Sequence, residues 1–559
     1  MKVYMGYTLL FITICFAYFR IYYGIDFTDE SYTIAMPYLF SKGQVPFVDE
    51  ILAHQGSAFL LQPFLTLYVK TVGSTDGIVL FSRHVFFIFS IAFSSALFFI
   101  IKKYYSFASA VFATMINIIY VPFSLYCLHY NYLGSSFFLL FLLLIVLSSY
   151  TAPMSILIAC LAGFSCLTYP TFVLPIFLAY IYALIRKDRS SHSKVILFIS
   201  TLIAAIFFSV FMLSYGYENI LHILQITRSA DIWGGDSKKV ILFTAQFYQY
   251  LSPFDKFIKY FFAPITLFIF GFWIQKRISS RDLLTAVLMT APLVYFYFYN
   301  SFHSEFFYIF LVLPLLFIIL ILYLMAYFNS TRTEKNRAQQ NFIMILVSIF
   351  AGLVTAYTSA NGLPNFGVGG YAALLVTATS LFFYLVDIKK KWISGAIFFI
   401  CMFIPLVQTG MLIAYRDVAP LNMNTTLEKS GPFYGLKTSA EKAQLLDIIQ
   451  SILNPFKGET NPVLFYDFPA GYLMLSNPPR TNSTWLLDKN TFPIDQSIYS
   501  NYLKQKGLPQ TVFMFKWDIA SSGNQALMNS YEQNSLYLFF KNSYSQKKSP
   551  TPWLDIFHF

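Results

Sequence analysis

Apolar residues occur in long runs separated by short polar stretches along residues 1–415. A run of about 20 apolar residues is long enough for a helix to cross a membrane. We count about thirteen such segments. The fifth and sixth share one run that is interrupted at Tyr169-Pro170, where proline breaks the helical hydrogen-bond ladder. The segments are 4–23, 78–101, 107–123, 136–150, 153–168, 171–186, 195–215, 257–275, 283–299, 305–328, 341–359, 371–387 and 392–414. The pattern predicts a polytopic α-helical membrane protein.

The distribution of charge orients these helices. With the N-terminus inside, Lys and Arg collect in the inner loops, as at Lys102, Lys103 and Arg186, whereas acidic residues predominate outside. An odd number of helices then places the C-terminus outside. Two outer loops, 24–77 and 216–256, are long. Within the first, residues 32–40 and 59–68 are expected to form helices that lie in the membrane interface.

The composition changes near residue 416, where polar residues become frequent. Helices are predicted at 439–453 and 497–506, and buried strands at 462–466 and 511–515. Helices that alternate with strands are typical of an α/β domain. The sequence therefore predicts a transmembrane domain at 1–415 and an extracytoplasmic soluble α/β domain at 416–559.

The composition narrows the class of protein. Of the 559 residues, 57% are hydrophobic and only 11% are charged, whereas soluble proteins carry about 25% charged residues. The net charge of +12 follows from the inner loops, and no basic tract with interleaved aromatics predicts binding to nucleic acid. No Walker or G-x-G-x-x-G loop is present, which disfavours an ATP-driven pump.

Three carboxylates, those of Asp26, Asp29 and Glu30, follow the first apolar run within five residues. Their spacing places them on one face of a helix if the segment is helical. A solvated helix end is the plain interpretation. A carboxylate in an outer loop can also accept the proton of a hydroxyl or amine that attacks a substrate.

Further residues follow these acids in a characteristic order. They are the Asp29-Glu30 pair, Gly43-Gln-Val-Pro46, His54-Gln-Gly-Ser57, Gly73 and Arg83. This order resembles the first outer loop of the GT-C class of membrane glycosyltransferases, above all the superfamily of protein O-mannosyltransferases and lipid A aminoarabinose transferases. In that superfamily an Asp-Glu pair precedes a Gly-x-x-Pro turn, a His/Pro-rich segment and a Gly…Arg pair. Many relatives have His-Pro-Pro-Leu where this chain has His-Gln-Gly-Ser.

The resemblance implies a GT-C-like fold and a polyprenyl-phosphate-linked sugar donor. It implies transfer with inversion to a glycan, lipid or protein acceptor at the outer face of a bacterial inner or plasma membrane. Asp29 would be the catalytic base, and Glu30 would orient the acceptor or share that role. Because the leaving group is a phosphate, cations are needed near it. Arg83 and His54 are the candidates that the resemblance supplies.

Other polar residues of the outer loops could join the site. Arg228 and His303 could bind the donor phosphate, and Glu305 could bind sugar hydroxyls. Asp26 and Asp49 are auxiliary candidates. The plainer alternatives are an interface anchor for Arg228, an ordinary loop for His303 and Glu305, a surface position for His54, and a salt bridge from Arg83 to Asp76.

No cofactor is required by this chemistry, and no metal site is predicted. Clustered carboxylates such as Asp26, Asp29, Asp49 and Glu50 could still hold a divalent cation through oxygen ligands.

Two other functions use similar substrates. A transporter or flippase for lipid-linked glycans would carry polar residues at mid-membrane, whereas the ionisable residues here gather at the outer helix ends. A glycan polymerase or ligase resembles the transferase in substrate but places its key Arg and His residues in a large later loop. The sequence indicates neither the sugar nor the acceptor.

Overall fold

The computed structural model describes residues 3–221 apart from 53 and 187, residues 332–359 and 365–370, and residues 410–559 apart from 459, 486–495 and 517–534, with single positions between these ranges. The expected helices at 257–275, 283–299 and 305–328, most of 392–414, and most of the outer loop 216–256 lie outside the described residues.

The described part of the membrane domain is helical. Its helices are α1 (Val3–Arg20), α2 (Asp29–Ser41), α3 (Gly56–Val72), α4 (Ile78–Tyr104), α5 (Phe107–Ile119), α6 (Tyr130–Leu147), α7 (Ala152–Thr168), α8 (Val173–Ile185), α9 (Ser191–Leu213) and α10 (Arg332–Thr358). Among the described residues, α1, α4, α6, α9 and residues 339–358 of α10 are long and apolar enough to cross a membrane. The chain is therefore an integral membrane protein. The count of thirteen segments stays a prediction, because several of them are not described.

Helix α6 forms the centre of the described bundle. Nearly every residue of this Leu- and Phe-rich helix is buried by protein. It begins at Tyr130, earlier than the predicted start at 136. The difference arises because Asn131, Gly134 and Ser135 interrupt the apolar pattern yet lie inside the protein. The predicted break at Tyr169-Pro170 is confirmed, since the 3₁₀ turn Pro170–Phe172 separates α7 from α8.

Residues 24–77, predicted to be the first outer loop and called so below, contain α2 and α3, which lie where helices were expected. Tyr32, Tyr38 and Phe40 of α2 are all buried within the protein, and the location of α2 and α3 in the membrane interface stays a prediction. Helix α2 packs against α3 and against the one-turn helix Gly471–Met474 of the C-terminal region.

The C-terminal region is an α/β unit. Helices α11 (Ala440–Leu453), α12 (Gln496–Lys506) and α13 (Ser535–Ser543) accompany strands β1 (Thr425–Thr426), β2 (Lys437–Thr438), β3 (Val463–Tyr466), β4 (Thr511–Phe515), β5 (Gln546–Thr551) and β6 (Leu554–His558). The larger sheet has the order β3-β4-β6-β5, and β3 and β4 are parallel and buried on both faces. Helices α11 and α12 and strands β3 and β4 match the expected positions. Strands β5 and β6 were not predicted.

The first outer loop and the C-terminal region are joined by hydrogen bonds. The backbone N–H of Gly77 donates to the carbonyl of Gly431 at 2.9 Å, and the N–H of Val79 donates to Pro432 at 3.1 Å. One hydrophobic core runs continuously from α4 and α6 to β3. The predicted boundary near residue 416 therefore separates two compositions but does not separate two packing units.

Candidate active site

Asp26 organises the start of α2. Its Oδ1 accepts hydrogen bonds from the backbone N–H and hydroxyl of Thr28, at 3.0 and 2.8 Å. Its Oδ2 accepts the backbone N–H of Glu30 at 2.8 Å. The first N–H groups of a helix have no intrahelical acceptor. Asp26 supplies one and is buried in doing so, so its role in this structure is to cap α2.

Glu30 forms a buried, bidentate ion pair with Arg83 of α4. Both contacts, Nε to Oε1 and Nη2 to Oε2, measure 2.7 Å. The remaining N–H groups of Arg83 donate to the carbonyls of Ile21, Tyr23 and Gly24. Each of the guanidinium's five donors thus has a protein acceptor. Arg83 joins α2 to the end of α1, and its carboxylate partner is Glu30, not the Asp76 of the plainer alternative.

Asp29 lies beside Glu30 on α2 but faces a different part of the protein. Its Oδ2 accepts a hydrogen bond from the Tyr415 hydroxyl at 2.8 Å and lies 3.1 Å from Nη1 of Arg416. The Asp29 side chain is 25% exposed and that of Arg416 is 23% exposed. Both charges are therefore reachable by a ligand, unlike the buried Glu30–Arg83 pair.

Aromatic rings lie beside Arg416 of this exposed pair. The Arg416 guanidinium lies 5.0 Å from the ring centre of Tyr415 and 5.7 Å from that of Trp485. Trp485 lies 5.8 Å from the ring of Tyr32 and donates its Nε1–H to Asp467 at 3.0 Å. Burial raises the pKa of Tyr32, and the carboxylates of Glu50 and Asp29 raise it further. The arrangement offers a carboxylate, a guanidinium and flat apolar surfaces within one region.

Contacts with Thr28 and Lys442 hold Arg416 in place. It adopts a left-handed backbone conformation, with φ of 52°, and its Nη1 donates to the Thr28 hydroxyl. Its carbonyl accepts a hydrogen bond from the ammonium of Lys442, which also lies 4.0 Å from Asp417. A non-glycine residue with positive φ is uncommon and marks a constrained position. The backbone thus presents the guanidinium toward α2.

His54 does not join Asp29 in the structure. Its ring stacks on Tyr130, with centroids 4.4 Å apart and planes inclined by 9°, and on Tyr169 at 5.3 Å. Burial lowers the pKa of His54 to about 4, so the imidazole is neutral at pH 7. A neutral, stacked ring is poorly suited to the expected contact with a phosphate.

The residues after His54 explain why this chain departs from the His-Pro-Pro-Leu pattern. The Gln55 side chain is buried, accepts the N–H of Phe47, and donates to the carbonyls of Glu50 and Leu52. A Cβ on Gly56 would lie 2.0 Å from the carbonyl oxygen of Leu167. Gln55 therefore closes the preceding loop, and Gly56 allows α3 to meet the end of α7.

Asp49 and Glu50 connect the loop to the C-terminal region. Asp49 accepts the Tyr502 hydroxyl at 3.0 Å and pairs with Lys506 at 3.4 Å. Glu50 is fully buried and accepts the N–H of Thr484 at 2.8 Å. Burial raises the pKa of Glu50 to about 7. Asp29, Tyr415 and Arg416 form the Asp29 cluster, and in the part of the chain that the structure describes neither Asp49 nor Glu50 bonds to any of these three residues.

The positions of the other predicted site residues are not described. Arg228, His303 and Glu305 lie outside the described residues. Within the described residues, no group of three or more His, Cys, Asp or Glu side chains is arranged to hold a metal ion.

Tyr415, Arg416, Lys442 and Trp485 are the residues that the sequence did not indicate. They lie far from Asp29 along the chain and belong to no recognised motif. The one available signal was their position at the change of composition near residue 416, directly after the last apolar run.

Comparison with models of protein families gives no match, and comparison with curated proteins gives none either. Solved structures that are similar to this chain include the following three. The oligosaccharyltransferase of Archaeoglobus fulgidus in complex with Zn and sulfate has a TM-score of 0.46 and 11% identity, over 94% of this chain and 71% of that one. ArnT of Cupriavidus metallidurans bound to undecaprenyl phosphate has a TM-score of 0.42 and 13% identity, over 100% and 98%.

A second structure of the archaeal oligosaccharyltransferase, AglB of Archaeoglobus fulgidus with an inhibitory peptide and a dolichol-phosphate, has a TM-score of 0.43 and 11% identity, over 99% of this chain and 74% of that one. All three TM-scores lie below 0.5.

Proposed function

We propose that the protein is an integral-membrane glycosyltransferase of the GT-C type. It transfers a sugar from a polyprenyl-phosphate-linked donor to a glycan, lipid or protein acceptor at the outer face of the membrane. The observation that carries the proposal is the partly exposed Asp29 carboxylate, which lies 3.1 Å from the Arg416 guanidinium. The order of motifs in the first outer loop supplies the class of donor.

Asp29 acts as the general base. The acceptor O–H or N–H loses its proton to the Asp29 carboxylate as the acceptor atom bonds to the anomeric carbon. The bond from that carbon to the phosphate oxygen breaks, and the electron pair leaves with the polyprenyl phosphate. A base on one face and a leaving group on the other give inversion. The position of Asp29 in the first turn of α2 keeps the carboxylate near the positive end of the helix dipole.

Arg416 takes the role that the resemblance gave to Arg83 and His54. The leaving phosphate gains charge as the bond breaks, and a positioned guanidinium stabilises that charge. Arg83 has no N–H left for a ligand, and His54 is neutral, whereas Arg416 is partly exposed beside the base. When the donor binds, Arg416 shifts its pairing from Asp29 to the phosphate, which leaves the carboxylate able to accept a proton.

Glu30 and Arg83 act as positioning residues in this proposal. Their ion pair fixes the first turn of α2 against α4 and the end of α1. Asp29 is the adjacent residue on the same turn. Any movement of that turn would move the base relative to Arg416.

The test is transfer of labelled sugar by the purified full chain in detergent. A panel of undecaprenyl-phosphate sugars, each labelled in the sugar, is offered with extracted envelope glycans, lipids and proteins as acceptors. Asp29→Asn is expected to lower turnover about 10²- to 10⁴-fold. Asp447→Asn, which removes an exposed carboxylate paired with Lys429, is the matched control.

Two results would overturn the proposal in different ways. Turnover that survives Asp29→Asn unchanged would reject Asp29 as the base. An absence of turnover with every donor, together with movement of lipid-linked sugar between leaflets of reconstituted vesicles, would favour the flippase.

A further inference from the structure

A cleft separate from the Asp29 cluster lies between the first outer loop and the C-terminal region. Its volume is about 310 Å³, at the lower end of the range for sites that bind small molecules. The loop contributes residues from the end of α2 and from the α3–α4 turn. The C-terminal region contributes residues around 430, 450–457 and 474–476. None of these residues belongs to the Asp29 cluster.

The two walls of this cleft are tied together at its edge. Besides the backbone hydrogen bonds from Gly77 and Val79, the Thr75 hydroxyl donates to the carbonyl of Leu473 at 2.7 Å. A cleft between surfaces fixed in this way is preformed, so a ligand loses little free energy in shaping it.

The lining combines cations, small polar groups and an apolar floor. Lys42 and Lys457 line it from the opposite walls, and among the described residues neither is paired with a carboxylate. Gln450 adds an amide that can bind hydroxyl groups, while Asp76 is the one acidic residue of the lining. Tyr38, whose buried ring lies 5.6 Å from the Lys42 ammonium, and the apolar residues Val69, Leu453 and Met474 complete the lining. Two cations against one anion leave the cleft net positive.

These properties match one chemical class of ligand. Sugar rings have hydroxyl edges, which amide and hydroxyl side chains bind, and apolar faces, which pack on apolar side chains. The excess of positive charge selects a saccharide that carries carboxylate or phosphate groups. We propose that this cleft binds an anionic saccharide. Its identity as the acceptor of the transfer rests on the proposed function, whereas the binding itself does not.

Helix α2 connects the cleft to the proposed base. Tyr38 follows Asp29 by nine residues on this helix, which corresponds to about 14 Å at 1.5 Å per residue. The cleft therefore lies at the C-terminal end of α2, and Asp29 lies in its first turn. The cleft would select the acceptor at a distance from the reacting atoms.

The experiment measures binding to the full chain in detergent, without any donor. The probes are trigalacturonate, a phosphorylated disaccharide and neutral maltotriose. We expect both anionic saccharides to bind and maltotriose to bind more weakly. Lys42→Gln with Lys457→Gln should raise the Kd of the anionic probes about 3- to 10-fold, because exposed charge pairs contribute little individually. Both lysines are exposed, so these changes should not affect folding.

Controls separate this inference from the proposed function. Lys70→Gln removes an exposed lysine of the same outer loop that does not line the cleft, and it should leave the Kd unchanged. Asp29→Asn should lower transfer strongly while leaving probe binding intact. The inference is rejected if neither anionic probe binds, if maltotriose binds equally well, or if the double lysine variant binds like the wild type.

Discussion

Nη1 of Arg416 lies 3.1 Å from Oδ2 of Asp29, although the two residues are far apart in the sequence. The pair joins the first outer loop to the residue at which the C-terminal region begins. Since both side chains are partly exposed, their mutual attraction is screened by water and contributes about 1 kcal/mol or less to stability. The pair is therefore better explained by binding and chemistry than by folding.

Replacing Arg416 should affect chemistry more than stability. Arg416→Gln is expected to lower kcat about 10²-fold, because the developing charge on the phosphate loses a donor. The melting temperature in detergent should change little. Lys429→Gln, on a surface lysine paired with Asp447, is the control. An unchanged kcat with a normal melting temperature would remove Arg416 from the mechanism.

Replacing Arg83 should affect stability more than chemistry. Arg83→Met leaves Glu30 buried without its partner, which typically costs about 3–5 kcal/mol. Thermal unfolding followed by circular dichroism should show a clearly lower melting temperature. A variant of normal stability whose donor KM is raised would instead return Arg83 to phosphate binding.

His54 is expected to act through its ring and not through its charge. His54→Phe preserves a flat ring between Tyr130 and Tyr169, so stability and donor KM should both stay close to the wild-type values. His54→Ala removes the stack and should lower the melting temperature. If His54→Phe alone raised the donor KM strongly, a direct contact between the imidazole and the donor would be indicated.

Glu50 makes stability depend on pH. The pKa of its carboxyl is about 7 in the folded protein, above the ordinary value of 4.5. Between these values the folded state binds more protons than the unfolded state, so stability falls as pH rises from about 4.5 to about 7 and then levels off. The shift corresponds to about 3 kcal/mol in order of magnitude.

The measurement compares Glu50→Gln with the wild type between pH 4.5 and 8. Glu50→Gln lacks the titrating group. Its melting temperature should therefore rise relative to that of the wild type as the pH increases. It also loses one acceptor for the N–H of Leu52 or Thr484, which lowers its stability by a nearly constant amount. Parallel pH profiles for the two proteins would contradict the buried, protonated carboxyl.

Local sequence determines much of the described architecture. The apolar runs predicted α1 and α4, the proline at 170 predicted the break before α8, and Ser439 caps α11 at the expected position. Strand β5 escaped prediction because Gln546–Thr551 is an exposed edge strand without apolar alternation. Its pairing with β6 is a tertiary property that local periodicity does not contain.

The candidate site was harder to derive for the same reason. The acids of the first loop could be found by motif, but three neighbouring carboxylates could not be assigned different partners from spacing alone. Asp26 caps a helix, Glu30 meets Arg83, and Asp29 meets Arg416. The last of these pairs depends on how the complete chain folds back on itself.

The distance in sequence between Asp29 and Arg416 has a consequence during biosynthesis. The ribosome makes the base early and its cationic partner only after the whole membrane domain has been synthesised. Until then the Asp29 carboxylate has no Arg416 beside it, and no nascent chain contains the complete pair. On the proposed mechanism, a partly inserted chain therefore cannot consume the lipid-linked donor, and translation that stops before residue 416 yields an inactive protein.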